Sequence, residues 1–251
     1  MASNPFKIEQ EIKRYDKFRP KYHHLVFQLI TTYLTETLGK ALDIACGTGH
    51  STIALSEFSD SVIGCDPSDP MLEVAREKQT IGFVNCSAEE LPFPAESFDF
   101  LNISMGFHWV EQEDFLNEAR RVLRNNKFLS IDNYKFSGKI SDDKDKQELH
   151  EKLLQNHLPY ASKRSIFPGE SSIKKYNFRI EQEFTYSHFI FMDENEFSNL
   201  LMTWSNYLAQ KEEMKKQLAN RIRETYTEIF NGQKIKLEFE GKVMLLKKEA
   251  L

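Results

Sequence analysis

Long apolar runs are absent from this 251-residue sequence, and no stretch reaches the ~20 residues that a membrane-crossing helix needs. Cysteine is scarce. The three present, Cys46, Cys65 and Cys86, are too few for a disulfide framework and suit a reducing compartment. Each falls near the end of a predicted strand, so the thiols would converge if those strands were neighbours. Their spacing matches no common zinc pattern, however, and small apolar fillers are the better reading. Excess positive charge is also missing: 33 Lys and Arg against 38 Asp and Glu give a net charge of −5, which offers no basic footprint for nucleic acid. Met1 to Gln10 lacks an apolar signal core, so a cytoplasmic location is expected. What remains is the composition of an ordinary globular protein, 40% hydrophobic and 28% charged, with enough length for one large domain. A small-molecule substrate, no nucleic acid, no membrane, and a monomer or weak homodimer are the partners expected.

The first half alternates short apolar runs with helical patterns. Residues 41–45 (ALDIA), 61–65 (SVIGC), 82–86 (GFVNC), 98–104 (FDFLNIS) and 128–133 (FLSIDN) read as strands. Helices are predicted over 50–57, 70–79 and 112–123; the second opens with Asp69-Pro70, a favourable cap followed by proline at the first helical position. Such alternation argues for a doubly wound, mostly parallel sheet covered on both faces. Upstream, 8–17 and 25–38 read as helices, the latter closed by Gly39. Downstream the rhythm changes: a charged helix over 141–158, a loop over 163–175, a strand over 183–192, helices over 193–208 and 211–230, and a last strand over 234–246, broken near Gly241. The organisation expected is one domain over 1–251, with an N-terminal helical cap (1–39) and lid helices over 137–180 and 193–231.

The strongest local signal is Leu42-Asp43-Ile44-Ala45-Cys46-Gly47-Thr48-Gly49, where a buried strand gives way to a glycine-containing loop and then a helix. Glycine lets backbone approach a ligand closely, and in open α/β sheets ligands bind outside the strand carboxyl ends. A dinucleotide site would want G-x-G-x-x-G, but Thr52 stands where the third glycine belongs. Asp43 is ill placed beside a pyrophosphate and well suited to an ammonium, which points to a zwitterionic, phosphate-free cofactor. Asp66, 23 positions further on, ends the second strand, where a carboxylate can accept hydrogen bonds from both hydroxyls of a ribose.

With these motifs the sequence resembles the type 11 branch of the class I S-adenosylmethionine-dependent methyltransferases, which includes trans-aconitate methyltransferase-like and ubiquinone/menaquinone C-methyltransferase-like enzymes. The resemblance is carried by LDIACGTG (42–49), GCDPSDPML (64–72), SAEELPFPAESFDF (87–100), GFHWV (106–110) and Tyr15…Arg19-Pro20-Lys21-Tyr22, in order over about the first 135 residues. It implies a seven-stranded sheet of order 3-2-1-4-5-7-6 with the last strand antiparallel, and S-adenosyl-L-methionine as cofactor. It further implies that Asp43, Ala45, Cys46, Gly47, Thr48 and Gly49 line the methionine moiety and ribose, and that Asp66 and Pro67 hold the ribose. Met71 would pack on the adenine, Ser87, Ala88 and Glu89 would read its edge, and Ser104 and Met105 would stand near the sulfonium. Tyr15 and Arg19 would close over the cofactor, with Arg19 toward the methionine carboxylate. The sequence departs from the pattern at Ala45, in place of a first glycine, and at Asn125-Asn126, where Pro-Gly-Gly usually stands; asparagine tolerates the left-handed conformation such a turn needs.

Methyl transfer from a sulfonium is an in-line displacement, in which orientation alone can contribute ~7–11 kcal/mol. A hydroxyl or activated-carbon acceptor would also need a base, and a carboxylate would not. His108 is the candidate base or a pocket wall, and Tyr22, Trp109 and Tyr134 are the other candidate acceptor-site residues. The nucleic-acid methyltransferase signatures, Asn/Asp-Pro-Pro-Tyr/Phe or a Pro-Cys nucleophile, are absent around Asn102 to Met105. Acceptor specificity is expected in the aromatic-rich stretch 134–192 and around Trp204 and Tyr207. The alternatives are a non-catalytic partner subunit that keeps the fold, against which the intact Asp43, Gly47, Gly49 and Asp66 argue, and a nicotinamide oxidoreductase, against which Thr52 argues.

Overall fold

The computed structural model describes residues 8–78, 80–158 and 166–250. The chain opens with two helices, α1 (Glu9–Phe18) and α2 (His23–Leu34), followed by β1 (Lys40–Ile44), α3 (His50–Ser56), β2 (Ser61–Asp66), α4 (Asp69–Arg76) and β3 (Gly82–Asn85). Next come β4 (Phe98–Ser104), α5 (Gln112–Val122), β5 (Leu123–Phe136), α6 (Lys144–His157), α7 (Glu170–Lys175) and β6 (Phe178–Met192). The chain ends with α8 (Glu194–Leu201), α9 (Ser205–Leu208), α10 (Glu212–Phe230) and β7 (Ile235–Lys248). The strands form one seven-stranded sheet of order β3-β2-β1-β4-β5-β7-β6 with the last strand antiparallel, as the resemblance implied. Among the described residues no helix is long and apolar enough to cross a membrane.

The chain divides into two compact units. The larger comprises 21–134, 166–186 and 241–250 of the described residues and holds β1 to β4. Its parallel pairings set Leu42 beside Leu101, Leu101 beside Leu129, and Ile103 beside Ile131. With Phe115, Leu116, Ala119 and Val122 of α5 these side chains make one apolar core, which is why the stripe in α5 repeats every three to four residues. Side chains alternate across a sheet, so Asp43, Asn102, Ser104, Ser130 and Asp132 occupy the opposite face, where registers pair Asp43 with Asn102, Asn102 with Ser130, and Ser104 with Asp132. All five are buried. A polar row of this kind is unusual in a parallel sheet covered on both sides.

The smaller unit comprises 8–20, 135–158 and 187–240 of the described residues. Its interior is an aromatic cluster of Phe136, Phe197, Tyr226, Phe230 and Phe239 around the buried His150, whose Nδ1 lies 2.8 Å from the Tyr226 hydroxyl. Burial pushes the His150 imidazole down to about 4, so this histidine is a neutral core residue.

Several expected boundaries move. The helix expected over 25–38 ends at Leu34, because Thr35 takes the left-handed cap (φ 58°) and bonds back to the Thr31 carbonyl. Gly39 instead lets the chain pass Asp99, where a Cβ would lie 2.8 Å from the Asp99 Cβ. The fifth strand starts at Leu123, directly where α5 stops, and Asn126 does adopt the left-handed conformation (φ 62°). The loop expected over 163–175 carries α7, although 163–165 lie outside the described residues, as do parts of the expected 1–39 cap and 137–180 lid and the last residue of the 70–79 helix. The helix expected over 193–208 breaks after Leu201, where the Thr203 hydroxyl bonds the Leu200 carbonyl. Strand β7 runs unbroken through Gly241, where a Cβ would collide with the Tyr186 ring.

Candidate functional site

The loop after β1 is built from alternating left-handed residues: Ala45 (φ 55°), Gly47 (φ 54°) and Gly49 (φ 81°). Alternation of this sort curls successive backbone N–H groups into a concavity that suits an anionic group. Ala45 takes up the conformation despite its methyl group, so its replacement of glycine leaves the turn intact. Gly49 caps α3. A Cβ on Gly47 would meet only the Met71 methyl, at 4.0 Å, which places Met71 beside the loop and leaves the glycine surface open to a ligand. The Thr48 hydroxyl is buried with no hydrogen-bond partner among the described residues.

Asp66 ends β2 and faces this loop. One carboxylate oxygen accepts the Gly47 N–H and the other accepts the Ser68 N–H, both at 2.9 Å. Burial raises the pKa of the carboxyl, and the two N–H donors oppose that rise. The expectation that the Asp43 carboxylate meets an ammonium is corrected. The residue is 0% exposed, one oxygen accepts the Ser51 and Thr52 hydroxyls at 2.6 Å, and the other accepts the Asn102 amide at 2.8 Å. Asp43 therefore tethers the start of α3 to β1 and β4, and only the backbone of its loop remains for a ligand. Thr52, which breaks the dinucleotide pattern, is one of these tethers. Burial pushes the Asp43 carboxyl up to about 6 even so.

The segment expected at an adenine edge is also fastened. Ala88 is buried, the Glu89 carboxylate accepts the Glu111 N–H at 2.7 Å, and the Pro67 carbonyl accepts from the Asn85 amide. The Glu118–Arg121 pair on α5 holds the loop beyond it: Glu118 accepts the Leu91 N–H, and Arg121 donates to the Leu91 and Phe93 carbonyls. The three thiols are free. Cys46 and Cys65 are buried, and Cys86 is half-buried.

At the ends of β4 and β5 lies a group of residues of which sequence reasoning found only part. Tyr22, 2% exposed, donates its hydroxyl to Asp132 Oδ2 at 2.8 Å and lies 2.9 Å from Ser104 Oγ, while Ser104 donates to the same Asp132 oxygen at 2.9 Å. Met105 follows with φ 52°, donating its N–H to the Asp132 carbonyl, and its sulfur accepts the Tyr134 N–H. The Tyr22 ring lies 4.3 Å from that of Tyr134 and 6.0 Å from that of Tyr186. Burial pushes the Asp132 carboxyl up to about 7. His108 and Trp109 stand in the turn after β4, their rings 5.2 Å apart, with Trp109 43% exposed. Tyr15 and Arg19 belong to the smaller unit, where the Arg19 guanidinium lies 4.9 Å from the Tyr15 ring and donates to the Thr203 carbonyl. The sequence reading missed Asp132. The signal available for it was a set of polar residues at alternate positions of strands whose two faces should both be apolar.

Residues 42–131 match a family model described as a methyltransferase domain. A Dictyostelium discoideum protein provisionally named as a methyltransferase is 28% identical over 94% of this chain and 93% of its own length. The Campylobacter jejuni ubiquinone/menaquinone biosynthesis C-methyltransferase UbiE is 35% identical over 41% of this chain, which thus spans about half (48%) of that relative. Among solved structures, an Anaeromyxobacter dehalogenans protein provisionally named a type II methyltransferase superposes with a TM-score of 0.68 at 21% identity, covering 92% of this chain and 98% of that one. A Haemonchus contortus phosphoethanolamine N-methyltransferase, solved with S-adenosylhomocysteine, gives 0.54 at 18% identity over 96% of this chain and 58% of its own.

Proposed function

We propose that the chain is a class I methyltransferase of the type 11 branch, which methylates a small-molecule acceptor with S-adenosyl-L-methionine as the donor. The observation that carries the reading is the approach of Asp66 to Gly47: one carboxylate and one side-chain-free turn face each other across the tips of β1 and β2. The donor set fits the cofactor. The curled backbone over 45–49 suits an amino-acid carboxylate, Asp66 can exchange its backbone donors for ribose hydroxyls, and Met71 offers a soft apolar surface to a base. When bound, the cofactor supplies an activated methyl group on a good leaving group. The protein's task is then to align an acceptor nucleophile with it and to keep water out.

The same polypeptide segments would place Ser87, Ala88 and Glu89 at the adenine, Ser104 and Met105 near the reacting methyl, and Tyr22, His108, Trp109 and Tyr134 around the acceptor. A small acceptor is supported by the absence of the nucleic-acid methyltransferase signatures and by the net negative charge. Titration calorimetry tests the reading. S-adenosylhomocysteine binds and NAD does not; Asp66→Ala weakens binding on the order of 100-fold through lost charge-assisted hydrogen bonds, while His108→Ala changes it little. Equal affinities in the two variants would remove Asp66 from the ribose, and binding of NAD alone would end the methyltransferase reading.

A further inference from the structure

Two carboxylates sit on the polar face of the sheet, and they differ in how they are satisfied. Asp43 has three donors for its two oxygens. Asp132, 2% exposed, has two donors, Tyr22 and Ser104, and both act on Oδ2. Asp132 Oδ1 is fully buried with no partner among the described residues, and so are the hydroxyl of Tyr186 and, further back along the polar row, Ser130 Oγ and Asn102 Oδ1. Folded proteins seldom leave such groups unmatched, since each unmade bond at a buried polar atom is costly, more so for a charged one.

Asp132 Oδ1 and the Tyr186 hydroxyl, the two at the strand ends, belong to one cluster. Tyr186 stacks beside Tyr22, which holds Asp132, and the Tyr186 hydroxyl lies within the field of the Asp132 charge, which helps to raise its pKa. The titratable groups facing Asp132 are Tyr22 ahead of α2, Tyr134 on β5, Tyr186 on β6 and, further along the polar row, Asp43 on β1. None of them is a cation. Gly241 is required for this arrangement, because a side chain there would occupy the space of the Tyr186 ring.

The inventory of atoms selects a ligand. One orphan needs a donor and the other is itself a donor that needs an acceptor. A hydroxyl does both. An ammonium only donates, and a carboxylate only accepts and would meet the like charge of Asp132. The neighbouring rings are aromatic: Tyr186 lies nearly parallel to Tyr22 at 23°, and Tyr134 is tilted to the Tyr22 ring by 55°, surroundings that suit an aromatic body. We propose, resting on the methyltransferase reading above, that Asp132 Oδ1 and the Tyr186 hydroxyl together bind a hydroxyl-bearing, phenol-like acceptor, and that Asp132 takes the proton of that hydroxyl as its oxygen is methylated. The acceptor O–H bond breaks with the proton passing to Asp132. The oxygen lone pair forms the new O–CH3 bond as the C–S bond electrons return to sulfur, which becomes a neutral thioether. Asp132 then releases the proton to solvent. Tyr22 and Ser104 are positioning residues: both hold Oδ2 and so turn Oδ1 toward the acceptor.

The test uses the full chain, methyl-labelled S-adenosylmethionine, and phenol, catechol and cyclohexanol beside benzoate and aniline. Binding of the same probes is measured by calorimetry on protein saturated with S-adenosylhomocysteine. Label in a base-stable ether of a hydroxyl probe is expected. Asp132→Asn lowers kcat by ~10²–10⁴-fold and removes the acid limb of the kcat pH profile, with the S-adenosylhomocysteine Kd unchanged. Tyr186→Phe, which deletes one oxygen, weakens phenol binding ~5-fold. A base-labile ester from benzoate, N-methylation of aniline in preference to phenol, or full turnover in Asp132→Asn overturns the proposal. So does failure of every hydroxyl probe to bind or react while S-adenosylhomocysteine binds. Failure of S-adenosylhomocysteine itself to bind sinks the underlying methyltransferase reading instead.

Discussion

Asp132 should make the protein less stable at neutral pH than its amide isostere. In the folded chain burial holds its pKa at about 7, against 3.8 for a free aspartate. The folded state therefore keeps a proton that the unfolded chain has already lost between those values. Because the folded state binds more protons in that window, stability falls as pH rises from about 4 to about 7 and is level outside it. Each pH unit of the window is worth up to about 1.4 kcal/mol, so the ceiling is about 4 kcal/mol. Relaxation and water entry lower that figure, and asparagine also weakens the bonds from Tyr22 and Ser104, by ~0.5–1 kcal/mol each. Asp132→Asn is thus expected to gain about 1–2 kcal/mol over the native chain at pH 8, or ~2–8 °C in Tm for a protein of this size, and to gain nothing at pH 5. Thermal unfolding followed by circular dichroism at pH 5, 6.5 and 8 measures it, without added cofactor. The informative quantity is the difference between the two proteins, since Asp43, whose pKa is also raised by burial, titrates in both. A difference that stays flat with pH, or that favours the native chain more as pH rises, would show that Asp132 is not a buried acid of raised pKa.

Gly241→Ala is expected to cost about 1–3 kcal/mol by forcing the Tyr186 ring aside, as overpacking does elsewhere. Urea unfolding of Gly241→Ala in native and Tyr186→Ala backgrounds checks it, and the same cost in both would mean that the ring is not the obstacle. In the smaller unit, Lys215 and Glu11 form a buried ion pair, each side chain 8% exposed. Lys215→Met alone should cost about 3–5 kcal/mol, because it leaves Glu11 charged and buried, whereas Lys215→Met with Glu11→Leu should come close to the native stability. A double variant no better than the single one in urea unfolding would refute that account.

The strands of the first half and the loop over 45–49 were legible because their determinants are local, whereas the sheet order came from the family resemblance. Apolar runs such as ALDI and FDFLNI mark strands buried on both sides, and the turn at 45–49 needs residues that tolerate positive φ, which glycine supplies in sequence. The helix break after Leu201 was not legible, because no proline or glycine marks it and it rests on a hydroxyl folding back onto the chain. Asp43 was read for its charge, and its role was misassigned: the sequence places Ser51 and Thr52 eight and nine residues on, but only the fold turns both hydroxyls onto one oxygen. The cluster around Asp132 is the least local of all. Tyr22 reaches Asp132 across 110 residues of sequence, and nothing in FLSIDN distinguishes its aspartate from a strand-end turn residue until the register with Ser104 is known.

That register also explains why one sheet face carries the polar side chains. The face holding Leu42, Ile44, Leu101, Ile103, Leu129 and Ile131 is packed by α5 and has no polar side chain to satisfy. The opposite face carries Asp43, Asn102, Ser104, Ser130 and Asp132 on three adjacent strands, each of which would be more stable with an apolar residue there. Toward β1 the Asp43 carboxylate has a donor for every demand, and that end of the row fixes the shape of the loop over 45–49. Toward β5 Asn102 Oδ1, Ser130 Oγ and Asp132 Oδ1 are left without a partner among the described residues. A chain that keeps a buried carboxylate oxygen without a partner, beside a tyrosine hydroxyl in the same condition, accepts a standing loss of stability in its resting state. Such a loss is recovered only when a third molecule supplies both missing bonds, and the stability gain in Asp132→Asn at pH 8 measures how large it is.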